Sequence, residues 1–301
     1  MEKYRYSEVF SSAQFEGHYT GIPTVWVRWF MCNLTCSGFG QEDPTDPDTY
    51  VLPYKEIDLV DVSRIEDLPV WTTGCDSSYS WAKRFKHLCP ESTVSEIADK
   101  LESLLNNDYN PHGEFVTSDG KVRHLCMTGG EPMLKKNQRG MIGIIDEFLE
   151  RDNFPTHVTV ETNGTREITP ELKQLIKNLY SNTSTSEWFW SVSPKLFTVS
   201  GESNKRAIHP AVVAEYQEVS KSGQLKFVVR NAPESWDELE ELVQLFRNEG
   251  VTWPVWIMPV GATDSSQRDN DTVEIVEETI RRGYNVSARV HAYIWDNVIG
   301  K

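Results

Sequence analysis

From about residue 124 the chain follows one rhythm, short apolar runs alternating with amphipathic stretches, and this alternation limits the fold more than any other feature. The runs are HLCM (124–127), HVTVE (157–161), WFWSVS (188–193), QLKFVV (224–229), PVWIMP (254–259) and VSARVHA (286–292). Helical periodicity fills the gaps at Arg139 to Arg151, Thr169 to Tyr180, Ser235 to Gly250 and Asp271 to Gly283. Ser235 with Glu238 three residues on has capping-box spacing. Repeated strand-helix units build a parallel sheet, because a parallel pair needs a crossover connection of about a dozen residues or more. A further strand at Thr24 to Phe30 and a helix near Ser92 to Asn106 extend the pattern to the N-terminal side. The expected fold is α/β, a partial (β/α) barrel of six or seven strands within one domain spanning residues 1–301.

Two segments break the rhythm. Residues 37–74 are rich in Asp, Pro, Gly and Thr, and residues 107–122 (NDYNPHGEFVTSDGKV) are rich in turn formers. Both read as insertions. Long stretches of this kind in a compact domain are commonly functional, so the first is expected to form a lid or small subdomain.

The first insertion separates cysteines. Cys32 and Cys36 stand three residues apart in RWFMCNLTCSGFGQ, and Cys75 follows after 38 further residues, in TTGCDSSYSW. Cys89 and Cys126 bring the total to five, an odd number, and the start MEKYRYSEVF lacks the apolar core of a secretory signal. A disulfide framework is therefore not expected, whereas reduced thiols available to metal are. Three thiolates can hold three irons of a [4Fe-4S] cubane and leave the fourth open to a small ligand, and three cysteines also suit zinc. Cys126 lies inside an apolar run, where a free thiol behaves as a small hydrophobe. With 30 basic against 45 acidic residues the net charge is -15, which repels a phosphate backbone and favours a small-molecule substrate over nucleic acid. No run approaches the roughly 18 apolar residues of a membrane span, so the expected location is cytoplasmic.

Several motifs fall at strand ends, which a barrel gathers at one mouth. In MTGGEP (Met127 to Pro132) two glycines allow close backbone approach, and the carboxylate after them can accept from an ammonium group. ETNGT (161–165) and SPK (193–195) each end a strand; either is by itself only a turn signal.

Taken in order, SSAQFEG (11–17), GIPTVWVRWFMCNLTC (21–36), CDSSYSW (75–81), MTGGEP, ETNGT, SPK, QLKFVV and RVHAYIW (289–295) resemble the 7-carboxy-7-deazaguanine synthases, radical S-adenosylmethionine enzymes of deazapurine biosynthesis. The resemblance runs the length of the chain. It implies a partial barrel of the radical S-adenosylmethionine type with about six parallel strands. It also implies a lyase that converts 6-carboxy-5,6,7,8-tetrahydropterin to 7-carboxy-7-deazaguanine with loss of ammonia, through a 5'-deoxyadenosyl radical that takes the hydrogen at substrate C6 and later returns it. The implied cofactors are a [4Fe-4S] cluster, S-adenosylmethionine and Mg2+. The implied partners are an electron donor such as flavodoxin or ferredoxin and a second copy of the chain in a homodimer.

Carried over by motif, Cys32, Cys36 and Cys75 are the cluster ligands, with Cys89 the competing third choice. Gly74, Asp76, Gly130, Ser193, Pro194 and Lys195 would contact S-adenosylmethionine, and Gln14, Glu16, Arg28 and Thr128 the substrate. Ser77 corresponds to a magnesium-binding hydroxyl, and His291 is placed near the substrate. Arg28 has a second reading, as the partner of an internal carboxylate. The chain departs from the family pattern in three ways: Phe39 stands where C-x3-C-x2-C would put the third cysteine, Phe15 replaces a glycine, and residues continue beyond His291. A glycyl-radical activating enzyme and a degenerate, non-catalytic scaffold are the alternatives.

Overall fold

A computed structural model describes residues 1–180 and 185–300 of the chain. Its frame is a nine-stranded sheet in the order β3-β1-β2-β4-β5-β6-β7-β8-β9. The strands are β1 (Tyr4–Ala13), β2 (Pro23–Trp29), β3 (Glu91–Ser92), β4 (His124–Gly129), β5 (His157–Thr162), β6 (Glu187–Val192), β7 (Gly223–Val229), β8 (Val255–Pro259) and β9 (Asn285–Val286). All neighbours from β2 to β9 pair in parallel, while β1 pairs antiparallel with both β2 and β3. The expected six or seven strands thus become nine, because β1, β3 and β9 add to the six longer parallel ones.

Along those six strands the side chains alternate with period two. Val25, Val27, Trp29, Leu125, Met127, Val158, Val160, Trp188, Trp190, Leu225, Phe227 and Ile257 join the main core, on the face covered by helices such as Lys135–Glu150 and Pro233–Asn248. The intervening residues face the other way, and many are polar: Arg28, Thr128, Glu161, Ser191, Gln224 and Lys226. Fully buried parallel strands usually read as unbroken apolar runs, so this inner row marks a lined interior. The sheet also curls. Gly17 N–H donates to Ser287 Oγ at 2.9 Å and Val290 N–H to the Phe15 carbonyl at 3.3 Å, joining the turn after β1 to the segment after β9.

That turn closes one end of the interior. His18 stacks on Phe189 with ring centroids 5.4 Å apart, and its backbone N–H donates to Gln224 Oε1 at 3.0 Å. Gly17 has φ +67°, and an added Cβ would lie 2.4 Å from the Gln224 amide, so the close approach calls for glycine.

Residues 40–73 leave the sheet and return to it. Gly74 N–H donates to the Phe39 carbonyl at 2.7 Å, so the excursion closes where it opened. It has a core of its own: Leu52, Tyr54, Ile65, Leu68 and Trp71 pack with Phe30, Tyr79, Phe85 and Cys89. Phe85 is fully buried there, and Phe85→Ala is expected to cost about 3–5 kcal/mol. Hydrogen exchange should then accelerate across residues 40–89 while β4 to β7 stay protected; equal loss of protection in both would show that the two cores are one cooperative unit. The second irregular segment is also anchored, since Phe115 is fully buried edge-on to Phe148 at 4.9 Å.

Three local readings change. Only Asn285 and Val286 of the expected strand at 286–292 and its flank are extended, and Val290–Trp295 is helical. The helix expected to start at Ser235 begins at Pro233, with Ala232 as N-cap. Glu238 does not complete a capping box; its carboxylate accepts from Phe197 N–H at 2.8 Å and Thr198 N–H at 2.9 Å. Pro233 sets the start, since proline is preorganised for the first helical turn. Among the described residues no helix is long and apolar enough to cross a membrane.

Candidate active site

The carboxyl ends of the parallel strands and the inner row of side chains line one cavity of about 280 Å3. Gln14, Glu16, Arg28, Cys32, Cys36, Gly74, Cys75, Asp76, Ser77, Thr128, Gly130, Ser193, Lys195 and His291 all border it. Pro194 does not: it is buried behind the cavity wall.

The cysteines lie at one end. Cys36 packs with Leu34 and Ala207, and Cys32, Cys75 and Phe39 lie against the same cluster. The Phe39–Gly74 hydrogen bond brings Cys75 beside the position that the shorter spacing would have used. Burial pushes the Cys32 thiol up to about 12, with nearby Glu131 adding to the effect, and burial likewise raises Cys36 and Cys75. Such thiols are poor free nucleophiles; a cation would favour their thiolate forms. Among the described residues no three His, Cys, Asp or Glu side chains converge on a point suited to a single metal ion. Three thiols gathered at one end of a cavity suit a cluster in which each thiolate meets a different iron. Cys89 is excluded by position, buried in the second core with its thiol directed to the carbonyls of Phe85 (3.4 Å) and Tyr79 (3.7 Å). Cys126 sits with Phe10 and Trp26 in a small apolar group on the inner face.

The loop carrying Cys32 and Cys36 is held by a residue the sequence did not single out. Glu202 Oε1 accepts from the backbone N–H groups of Thr35 (2.6 Å) and Cys36 (2.9 Å). Gly130, which borders the cavity, is also required as glycine by packing within the chain, because a Cβ there would lie 2.2 Å from the Met31 carbonyl. The glycine lets the cysteine loop rest directly on the end of β4. Glu131 differs as well from the expected ammonium acceptor: it is fully buried and accepts from Thr162 Oγ1 (2.6 Å), Asn163 N–H (2.8 Å) and Met133 N–H (2.8 Å). It clamps the ends of β4 and β5 together.

Away from the cysteines the wall is a network of paired charges. Lys226 Nζ contacts Glu16 Oε2 and lies 4.0 Å from Glu161 Oε1, which also accepts from Gln14 Nε2 at 3.2 Å. Thr128 Oγ1 donates to Glu161 Oε2 at 3.1 Å. Arg289 joins Asp76 (2.6 Å) to Glu16 (3.3 Å) and donates to the Gly261 carbonyl at 2.9 Å. Burial opposes charge on Glu16, yet Lys226 and Arg289 together hold it well below the usual carboxylate range. Burial likewise opposes charge on Lys226, and Glu16 and Glu161 reverse that effect and raise it. Burial and then Arg289 lower His291, keeping its imidazole neutral near pH 7. Lys226, Glu161 and Arg289 were not picked out from sequence, although a lysine in the middle of QLKFVV was the visible sign. Arg28 follows its second reading in part: its Nε donates to Glu8 Oε2 at 2.6 Å, which also accepts from Tyr79 OH at 2.9 Å. The guanidinium still borders the cavity.

Comparison with known proteins finds relatives that span nearly the whole chain. No protein-family model matches the chain. Curated relatives include the 7-carboxy-7-deazaguanine synthases of Rhodopirellula baltica, 27% identical over 94% of this chain and 83% of the relative, and of Pyrobaculum aerophilum, 26% identical over 99% and 97%. The Escherichia coli protein of the same name is 22% identical over 97% of this chain and 98% of its own. The crystal structure of QueE from Escherichia coli superposes with a TM-score of 0.51 at 20% identity, covering 95% of this chain and 93% of that one. That likeness supports the α/β fold with its large, mostly parallel sheet.

Proposed function

We propose that the chain is a radical S-adenosylmethionine lyase that converts 6-carboxy-5,6,7,8-tetrahydropterin to 7-carboxy-7-deazaguanine and ammonia, on a partial (β/α) barrel within a single domain. The observation that carries this reading is the convergence of Cys32, Cys36 and Cys75 at one end of a cavity whose remaining wall bears Gln14, Arg28, Thr128 and Glu161. The near full-length similarity to synthases of that name supports the same reaction.

The three buried thiols suit a [4Fe-4S] cluster. When bound, the cluster and S-adenosylmethionine supply a carbon radical able to remove one hydrogen from the substrate. The chain positions the reactants and excludes water. Lys195, whose ammonium donates to Ser193 Oγ at 2.9 Å, and the backbone near Gly74 and Gly130 border the space for S-adenosylmethionine. The Arg28 guanidinium faces the substrate carboxylate, a pairing suited to planar donors. Gln14, Thr128 and Glu161 offer donors and acceptors to the pterin amide edge. Asp76 reaches the cofactor space while tied to Arg289, linking the cysteine segment to the C-terminal segment. Ser77 Oγ, which borders the cavity, would supply one oxygen to Mg2+, a cation that takes oxygen ligands and keeps several waters.

The test is anaerobic turnover of the carboxytetrahydropterin with reconstituted protein, S-adenosylmethionine, dithionite and Mg2+. Formation of carboxydeazaguanine with one ammonia per turnover is expected. A protein that binds iron and cleaves S-adenosylmethionine but leaves the pterin unchanged would refute the substrate assignment. One that holds only trace iron would instead match the non-catalytic scaffold.

A further inference from the structure

A second concavity, of about 230 Å3, adjoins the outer side of the cysteine loop. Asn33 and Leu34, the residues directly after Cys32, line it together with Arg166, Lys205, Arg206 and His209. A short polar path connects it to the first thiol. Arg206 Nη2 donates to the Asn33 carbonyl at 3.0 Å, Asn163 Nδ2 donates to Asn33 Oδ1 at 3.1 Å, and the same Nδ2 lies 4.0 Å from Cys32 Sγ.

The charge here opposes that of the whole. The chain carries a net -15, yet this rim brings together two arginines, a lysine and a histidine. Arg206 is engaged, pairing with Glu202 at 3.0 Å. Arg166 and Lys205 are exposed, and among the described residues neither has a carboxylate within the 4.0 Å of an ion pair. Glu167, next in sequence, does not line the concavity. On its other side the cysteine loop faces the substrate cavity, bordered there by Pro69, Val70 and Thr72 of the excursion. The basic rim thus adjoins the cysteine loop at Asn33, which does not border the substrate cavity.

We propose that the rim formed by Arg166, Lys205, Arg206 and His209 is the docking surface for an acidic one-electron carrier protein. The proposal rests on the cluster assignment of the preceding section and adds the route of reduction. One electron leaves the carrier's reduced prosthetic group and enters the oxidised cluster beside Cys32; no bond forms or breaks. Three of the four rim side chains, those of Arg166, Lys205 and Arg206, are long and exposed, which suits an extended negative surface rather than a compact anion. Charges in this position set encounter rate, orientation and salt dependence.

The test is the double variant Arg166→Glu/Lys205→Glu, with a flavodoxin as the acidic probe. Calorimetric titration at low ionic strength is expected to show binding weakened by about tenfold or more relative to the parent protein. The difference should shrink as salt is raised. Pterin turnover driven by dithionite, which needs no docking, is expected to stay at the parent rate, whereas turnover driven by reduced flavodoxin falls. Lys205→Arg should bind as the parent does. Unchanged affinity and salt dependence in the double variant, with dithionite turnover intact in both proteins, would overturn the docking surface alone. Absence of dithionite turnover in the parent would instead overturn the functional reading on which it rests.

Discussion

Cys75→Ala is expected to reduce the iron retained after anaerobic reconstitution well below the about four per chain of a [4Fe-4S] protein and to bring turnover to background. The reason is positional. Thirty-eight residues separate Cys36 from Cys75, but the hydrogen bond of 2.7 Å between Gly74 N–H and the Phe39 carbonyl returns the chain to its point of departure. Cys75 therefore enters the cavity beside Cys32 and Cys36 despite its distance in sequence. Removing its thiol leaves two ligands for a cluster that needs three protein sulfurs. Cys89→Ala and Cys126→Ala provide the contrast, because both lie in apolar groups and neither borders the cavity. Each should cost a little stability and keep full iron. Iron and sulfide analysis with the visible absorption spectrum reads all three variants. Full iron in Cys75→Ala, or its loss in Cys89→Ala, would move the third ligand elsewhere.

The strands from 124 to 259 were legible because each is a compact apolar run between helical periods, and their order along the chain matches their order in the sheet. β1 was not, since YRYSEVFSSA mixes charged and polar residues with apolar ones, as suits a strand near the edge of the sheet. The end of the chain misled for a related reason: VSARVHA alternates as a strand would, but only its first residue, Val286, and the preceding Asn285 pair with β8. Its Arg289 instead spans Asp76 and Glu16. Motifs at strand ends were legible because turn residues and chemistry coincide there. The inner charges were harder to find, since Glu161 and Lys226 lie within strands and only the fold brings them to Glu16, far away in the sequence. Glu131 shows the opposite error: its place in a motif suggested ligand contact, whereas complete burial and three short hydrogen bonds assign it to the frame.

Lys226→Met is expected to destabilise the fold by about 3–5 kcal/mol, because it leaves buried carboxylates without their main cation. Lys226 is 7% exposed and Glu16 16%, so solvent offers little screening, and Arg289, 3.3 Å from Glu16, compensates only in part. The pH dependence follows from the same pairing. Glu16 is held below the ordinary carboxylate value of 4.5 in the folded state, so its contribution is fully present above 4.5 and is lost as pH falls through the lower folded value. Lys226 is raised above 10.5, so its contribution is present below 10.5 and is lost as pH rises through the higher folded value. In Lys226→Met the burial of Glu16 is no longer offset, and the acid midpoint of unfolding should move to higher pH. Denaturant melts at pH 4 and pH 7 measure both effects. Turnover should fall by about a hundredfold or more, as expected when the groups that orient a substrate shift by about 1 Å. The double variant Glu16→Gln/Lys226→Met separates the two consequences: neutralising the orphaned charge should restore most of the stability, while turnover stays low because Glu161, which accepts from Gln14 and Thr128, no longer has Lys226 beside it. Recovery of turnover together with stability would show that the pair serves the fold alone.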